Sequence, residues 1–299
     1  MKKLILTLAA MLVLAAFCTA CTQTKTPHSA DHPTVNCGSS LFEYYALSIT
    51  DSSCGYYMEG NTLVLTYDNC KQTAVFPEEI INDFDNPDNS GYDHRLSNTG
   101  IYVSNKVSAV SIFDENRILS KVYVSHNRGN TWQTCEIDLK GAESFLNIIP
   151  SSQYIGFTSE NDGWLIAATY PGSSKGIFAL YQTNDGGASW HKTDNNLWNT
   201  HGSYVIGAGF ADSERGFICY DNQIAKMDVY ATTDGGITWN SIDLLSYLPT
   251  ELQNLDKLYA LSPVFDGSDG VIPVEYYENG EYKLTYLYSN DAGNSWYHK

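Results

Sequence analysis

The sequence predicts an all-β protein assembled from repeated four-stranded antiparallel units. Three observations predict it: the composition, a recurring turn motif, and a second recurring element upstream of that motif. Of the 299 residues, 43% are hydrophobic and 13% aromatic, and Tyr alone contributes 22. Tyr, Thr, Val, Ile, Gly, Asn and Asp carry the chain, a composition of short strands and tight turns with no long helix-forming stretch. That much apolar material excludes a disordered or fibrous chain.

The turn motif reads Ser/Thr, any, Asp/Asn, any, Gly, any, Ser/Thr, Trp. Its four full copies begin at Ser125, Thr183, Thr232 and Ser289 and end at Trp132, Trp190, Trp239 and Trp296. A decayed copy from Thr66 to Thr73 lacks both the glycine and the tryptophan. Each residue type has a task in a hairpin turn. The Asp or Asn side chain accepts backbone N–H groups, the glycine supplies a positive φ, and the tryptophan starts the outgoing strand, where its ring fills the gap to a neighbouring sheet.

The upstream element places an apolar residue six positions before a glycine that opens the next strand. It occurs as Phe157 to Gly163, Phe210 to Gly216, Val264 to Gly270 and Ile49 to Gly55. In the second unit, Ile112-Phe113-Asp114 is the nearest match, with no glycine before Arg117. Together the two elements predict four strands per unit; in the third they cover about 154–159, 163–170, 177–183 and 189–193. A sheet with two apolar faces must stack on neighbours, and repeats of this length with four strands each predict a β-propeller. Five units fit between Leu41 and Lys299, so five blades are expected, with six or more as the alternative. The last outer strand is expected to be short, or to be completed by a strand near 41–49.

The turn motif resembles the Asp-box, or BNR repeat, of sialidase-like propellers. With the upstream element, the units are also similar to propellers of the photosystem II assembly-factor type. The resemblance covers residues 40–299 and is specific for fold, because such propellers include enzymes, receptors and assembly factors. It implies structural roles, away from the axial ligand site, for Asp68, Asn127, Asp185, Asp234 and Asp291. The same holds for Gly129, Gly187, Gly236 and Gly293 and for the four tryptophans.

Residues 1–20 read as an export signal: Met1-Lys2-Lys3, an apolar run from Leu4 to Phe17, then Cys18-Thr19-Ala20. The run is short for a permanent transmembrane helix. Ala20-Cys21 resembles a bacterial lipobox, in which Cys21 is lipidated and becomes the mature N-terminus, although Cys18 stands where that pattern prefers Leu. The alternative is secretion after cleavage at Ala20. Residues 21–39, rich in Thr, Pro, His and Ser, read as a flexible tether. Five cysteines remain after Cys21, an odd number; Cys54 and Cys70 flank a predicted hairpin and are the pair expected to form a disulfide, whereas Cys135 and Cys219 are expected to be buried.

With 34 Asp and Glu against 17 Lys and Arg, the formal net charge is −17, which disfavours nucleic-acid binding and basic docking on membranes. No cofactor or metal is expected, since no phosphate loop, nucleophile elbow, C-x-x-C or His-Glu-x-x-His occurs. The loop from Asn82 to His94 is acidic but lacks the EF-hand order. A sialidase site, as the resemblance describes it, needs three converging arginines. Here only Arg95, Arg117, Arg128 and Arg215 exist, and the last two lie in turns, so sialidase activity is disfavoured. A two-carboxylate glycosidase has Asp51, Asp114, Asp212 and Asp266 as candidates, which share one repeat position and therefore also suit turn capping. Tyr44, Tyr45, Tyr56, Tyr57, Tyr276, Tyr277, Tyr286, Tyr288 and Trp198 are expected either to pack between blades or to line a groove for sugars or a protein. The first expectation for function is an exported, membrane-anchored, monomeric and non-catalytic propeller that binds a protein or glycan partner at the cell envelope. The alternative is a glycoside hydrolase acting at the axial face.

Overall fold

The computed structural model describes residues 54–59, 62–78, 98–114, 119–139, 150–169, 178–194, 204–221 and 226–299. Among them the chain forms five antiparallel sheets and little helix beyond Thr250–Gln253. Blade 1 holds β1 (Gly55–Glu59), β2 (Thr62–Tyr67) and β3 (Gln72–Val75). Blade 2 holds β4 (Ile101–Val103), β5 (Ser108–Phe113), β6 (Leu119–Ser125) and β7 (Gln133–Asp138). Blade 3 holds β8 (Pro150–Phe157), β9 (Gly163–Thr169), β10 (Phe178–Thr183) and β11 (His191–Lys192). Blade 4 holds β12 (Tyr204–Phe210), β13 (Gly216–Asp221), β14 (Asp228–Thr232) and β15 (Asn240–Ile242). Blade 5 holds β16 (Leu258–Ala260), β17 (Val264–Asp266), β18 (Asp269–Glu278), β19 (Glu281–Ser289) and β20 (Tyr297–His298). The strands pair along each blade in chain order, with β16 and β17 both pairing to β18, and the five sheets make a five-bladed β-propeller.

One register recurs through all five blades. The residue opening the second strand always faces the first residue of the turn motif: Gly55 with Thr66, Ser108 with Ser125, Gly163 with Thr183, Gly216 with Thr232 and Gly270 with Ser289. The glycine is there for space. A Cβ on Gly163, Gly216 or Gly270 would sit 2.7, 2.4 or 2.5 Å from the ring of Phe157, Phe210 or Phe265. This register makes β1 the counterpart of a second strand, and the expected first strand ending near Ile49 lies outside the described residues. It also corrects the expectation for blade 2. Ile112-Phe113-Asp114 ends the second strand, not the first, and Val103 with Ser108 takes the place of Phe with Gly. Tyr102 turns its hydroxyl to the Phe157 carbonyl at 3.0 Å, while Ser108 Oγ bonds Tyr67 Oη at 2.8 Å. In the third unit the observed strands agree with the expected ones to within a few residues.

Four apolar clusters coincide with the four successive blade interfaces. Leu63, Leu65 and Phe76 of blade 1 meet Ile101, Val110 and Ile112 of blade 2. Between blades 2 and 3, Val122, Val124 and Phe113 meet Leu165, Ala179 and Tyr181. Ile166 and Leu180 then meet Ala208, Phe210 and Ile218. In the fourth, Phe217, Cys219 and Val229 meet Ile272, Val274 and Leu287. Such cores supply the main favourable term, since burying one such side chain is worth roughly 1.5–3 kcal/mol. The last outer strand is short, as expected, and residues 41–49, the alternative source of a completing strand, lie outside the described residues. The expected Cys54–Cys70 disulfide is not formed. Cys54 is buried in the blade 1–2 core, and Cys70 sits in the β2–β3 turn at φ +63°. Cys219 is fully buried, as expected, whereas Cys135 is only half-buried on the outer strand β7.

Candidate functional site

The residues singled out by the repeat form one end of the propeller, and they are staples. In each full turn the first hydroxyl accepts the glycine N–H: Ser125 from Gly129, Thr183 from Gly187, Thr232 from Gly236 and Ser289 from Gly293, at 2.8–2.9 Å. The carboxylate or amide oxygen of Asn127, Asp185, Asp234 and Asp291 accepts the N–H of the residue four on, at 2.9 Å in every copy. The hydroxyls of Ser189, Thr238 and Ser295 donate to the second carboxylate oxygen at 2.6 Å. These bonds hold the Asp185 and Asp291 carboxyls down to about 2, the side-chain hydroxyl contributing most and the backbone N–H next. Asp234 is lowered by the same pair of donors from Thr238. A carboxylate so stabilised in its charged form is a poor general acid.

The turn glycines also let blades approach. Their φ lies between +75° and +89°, and a Cβ on Gly129, Gly187, Gly236 or Gly293 would strike Ala74, Val124, Leu180 or Phe217 of the preceding blade. The tryptophans follow the same rule. Trp132 meets Phe76 edge-on at 5.3 Å, Trp190 meets Phe157 at 6.1 Å, Trp239 meets Phe210 at 6.1 Å, and Trp296 meets Phe217 at 5.7 Å. Each indole therefore stands in a different interface, the one its blade shares with the blade before. In blade 1, Asp68 serves differently: its carboxylate takes a 2.7 Å ion pair from Arg128 of blade 2.

Around the axis, the first strands β4, β8 and β12 and the segment 262–267 around β17 enclose a cavity of about 550 Å³. Its rim is made by the turns between first and second strands, with Ser104, Asn105, Thr158, Ser159 and Gly267. Tyr102, Phe157, Phe210 and Phe265 form part of its wall. Among the described residues its charged groups are Lys106 and Asp266, and no turn-motif residue lines it. Of the described acids expected to share one repeat position, Asp266 reaches this cavity and Asp114 and Asp212 do not. Asp212 caps its own turn, its Oδ1 accepting the N–H groups of Glu214 and Arg215 at 2.8 and 2.7 Å. Asp114 sits instead after β5 and accepts the Leu119 N–H, which follows from the corrected frame of blade 2. Asp51, Arg95, Arg117, Trp198, Tyr44, Tyr45 and the acidic loop 82–94 lie outside the described residues. No cluster of potential metal ligands occurs among the described residues.

The opposite end carries groups that the sequence did not single out. Burial raises the carboxyl of Asp221, at the end of β13, and Lys257 partly offsets this. Burial also raises the carboxyl of Glu275 on β18. Tyr259 lies directly across from Glu275, and its hydroxyl feels Asp221, Tyr282 and Glu275 electrostatically. Beside them the β18–β19 hairpin projects beyond its counterparts. Its strands have 10 and 9 residues, against 6 and 5 in β13 and β14. At about 3.3 Å per residue, that is roughly 10 Å of extra reach. No motif marks these groups, which come together only through the sheet register.

No protein-family model matches the chain, and no curated protein does. Solved structures resemble it in fold. The GH74 enzyme of Niastella koreensis is 12% identical with a TM-score of 0.39, over 80% of this chain and 44% of the enzyme, so this chain spans less than half of that protein. The GH93 α-L-arabinofuranosidase of Fusarium graminearum, solved with arabinobiose, is 12% identical with a TM-score of 0.43, over 66% of this chain and 64% of its own. YCF48 bound to a D1 peptide is 13% identical with a TM-score of 0.39, over 83% and 77%.

Proposed function

We propose that the chain is an exported, lipid-anchored, non-catalytic propeller that binds a protein or glycan partner at the cell envelope. In this reading residues 1–20 direct export, Cys21 carries the lipid, residues 21–39 are the tether, and the Asp-box turns only hold the blades. The observation that carries the binding assignment is the chemistry of the axial cavity. Hydroxyls, amides and backbone edges surround its opening, with a single described carboxylate, Asp266. Such a lining recognises a ligand by hydrogen bonds and does not supply the paired acid and base that glycoside cleavage uses. The test is a glycan-array and polysaccharide-hydrolysis screen of the mature chain. Retention of a glycan or an envelope protein without turnover is expected, and release of new reducing ends would refute the non-catalytic part. Labelling with radioactive palmitate should mark the wild-type chain and not the Cys21→Ser variant.

One observation favours the second reading, a glycoside hydrolase. Asp221 and Glu275 stand near Tyr259 at the end opposite the turns, both with raised carboxyls, the condition under which a carboxylic acid stays protonated to donate. If that reading holds, Asp221→Asn or Glu275→Gln abolishes turnover while leaving the melting temperature in place.

A further inference from the structure

Blades 3 and 4 turn bare backbone toward the axial cavity. A strand that shows a cavity its face contributes alternate residues, whereas one that shows its edge contributes consecutive ones. β8 lines the cavity from Tyr154 to Phe157 without a gap, and β12 does so from Ala208 to Phe210. The ladder register says which groups lie on those edges. The Thr158 N–H returns to the Asp162 carbonyl, so in β8 Gln153, Ile155 and Phe157 point away from β9. Accordingly, the Gln153 and Phe157 carbonyls accept the hydroxyls of Thr99 and Tyr102. In β12 the Ala211 N–H returns to the Arg215 carbonyl, so Ala208 and Phe210 point away from β13. The Ala208 N–H reaches Ser262 Oγ at 3.3 Å.

Several inward groups are left over. The N–H and C=O of Ile155 and of Phe210, the Phe157 N–H and the Ala208 C=O have no hydrogen-bond partner among the described residues. Ile155, Phe157, Ala208 and Phe210 are only 3–5% exposed. Buried backbone groups of this kind must be met by water or by the polar atoms of a ligand. Both edges belong to blades that do not adjoin blade 1 in a ring of five, so neither faces the blade whose first strand lies outside the described residues. Along one edge like groups recur every second residue, about 6.6 Å apart. The cavity's mouth lies at the motif end of the propeller. There the Gly186, Gly235 and Ala292 N–H groups bond the Asn161, Glu214 and Ser268 carbonyls of the turns between first and second strands.

We propose that the axial cavity takes up an extended peptide segment, which enters at the motif end and bonds main chain to main chain with the inner edges of β8 and β12. The proposal rests on the binding reading above and chooses a peptide as its ligand class. An extended peptide offers N–H and C=O groups at the period of the edges, so each bond it makes meets a group now unmet. The hydroxyls of a sugar chain have no such fixed alternation. The β8 edge from Ile155 to Ser159 is roughly 15 Å long, enough for about four or five peptide residues. Among the described residues the lining carries one cation and one anion, Lys106 and Asp266, whereas the whole chain carries −17. Basic residues flanking the bound run are therefore favoured.

Selection of phage-displayed random heptapeptides on the full-length protein, followed by fluorescence anisotropy with the synthetic winners, tests this. Exchanging single main-chain amides of a winner for esters removes one N–H at a time. Within the bound run each exchange should weaken binding roughly three- to tenfold. Thr158→Arg, at the mouth, should weaken binding by about tenfold or more with the melting temperature retained. The exposed Asp266→Arg repeats the test should Thr158→Arg lower that temperature. Failure to select any peptide, affinity that ignores every ester, or affinity that survives both arginines overturns the proposal. If instead arabinan or mannan binds and the arginines remove that binding, the peptide is refuted and the binding reading stands. If neither peptide nor glycan binds, both fall.

Discussion

The turn of blade 1 and the turns of blades 2 to 5 occupy the same place in the register but are built differently. In blades 2 to 5 a glycine N–H satisfies the first hydroxyl, and an indole fills the interface with the preceding blade. In blade 1 Cys70 replaces the glycine and Thr73 the tryptophan. Asp68, Asn69 and Cys70 all adopt positive φ, and the Thr66 hydroxyl is buried without a hydrogen-bond partner among the described residues. The difference teaches what the motif is for. Every full copy reaches back to the blade that precedes it in the chain, and the turn of blade 1 lacks the two residues that do the reaching. The conserved-looking acids are thus part of blade assembly, and function rests on what does not repeat.

Substitutions can break or sharpen this contrast. The largest effect is expected for Trp296→Ala, which removes a nearly buried indole from between Phe217 and Phe265. A loss of about 3–5 kcal/mol is expected in urea unfolding. Next comes Gly236→Ala, where φ is +89° and the new Cβ would lie 2.3 Å from Leu180 Cδ2; about 2–4 kcal/mol is expected from backbone strain and overlap. The matching change in blade 1, Cys70→Gly, should shift stability by less than about 1 kcal/mol, because relief of a left-handed residue is offset by a more flexible unfolded chain. Arg128→Met should likewise lie below about 1 kcal/mol, since its ion pair with Asp68 is partly exposed and screened.

An effect confined to acid follows from the lowered carboxyls. The folded values of Asp185 and Asp291, about 2, lie below the unfolded value of about 3.9. Their contribution is therefore complete above pH 4 and is lost as the pH falls toward 2. Replacing Asp185, Asp234 and Asp291 by Asn, the residue blade 2 uses at Asn127, should flatten the decline in melting temperature between pH 4 and 2. An unchanged acid profile would remove these turns from the account of stability.

Much of the scaffold was legible because the repeat places rare residues, Trp and Gly, where geometry permits few substitutes. Blade 2 was misframed because Val103 and Ser108 stand where the other blades have Phe and Gly, which leaves no glycine to find. The axial cavity was not legible: Thr99 and Asn105 of blade 2, Thr158 of blade 3 and Asp266 of blade 5 converge only once the blades are assembled. The tyrosines of the β18–β19 hairpin were half legible. Tyr277, Tyr286 and Tyr288 stood out by number, but the pairing of Tyr277 with Tyr282, and of Glu275 with Tyr259, depends on the register of a hairpin longer than its siblings.

A double-mutant cycle between Leu180 and Gly236 measures directly whether the repeated turns are staples between blades. If the turn presses on the preceding blade, Leu180→Ala opens the space that a methyl group at 236 requires. The two changes should then couple by about 1 kcal/mol or more, the double variant being more stable than the sum of the singles predicts. Strict additivity would mean that the turn folds without regard to its neighbour, and the assignment of the repeated acids and indoles to blade assembly would be contradicted.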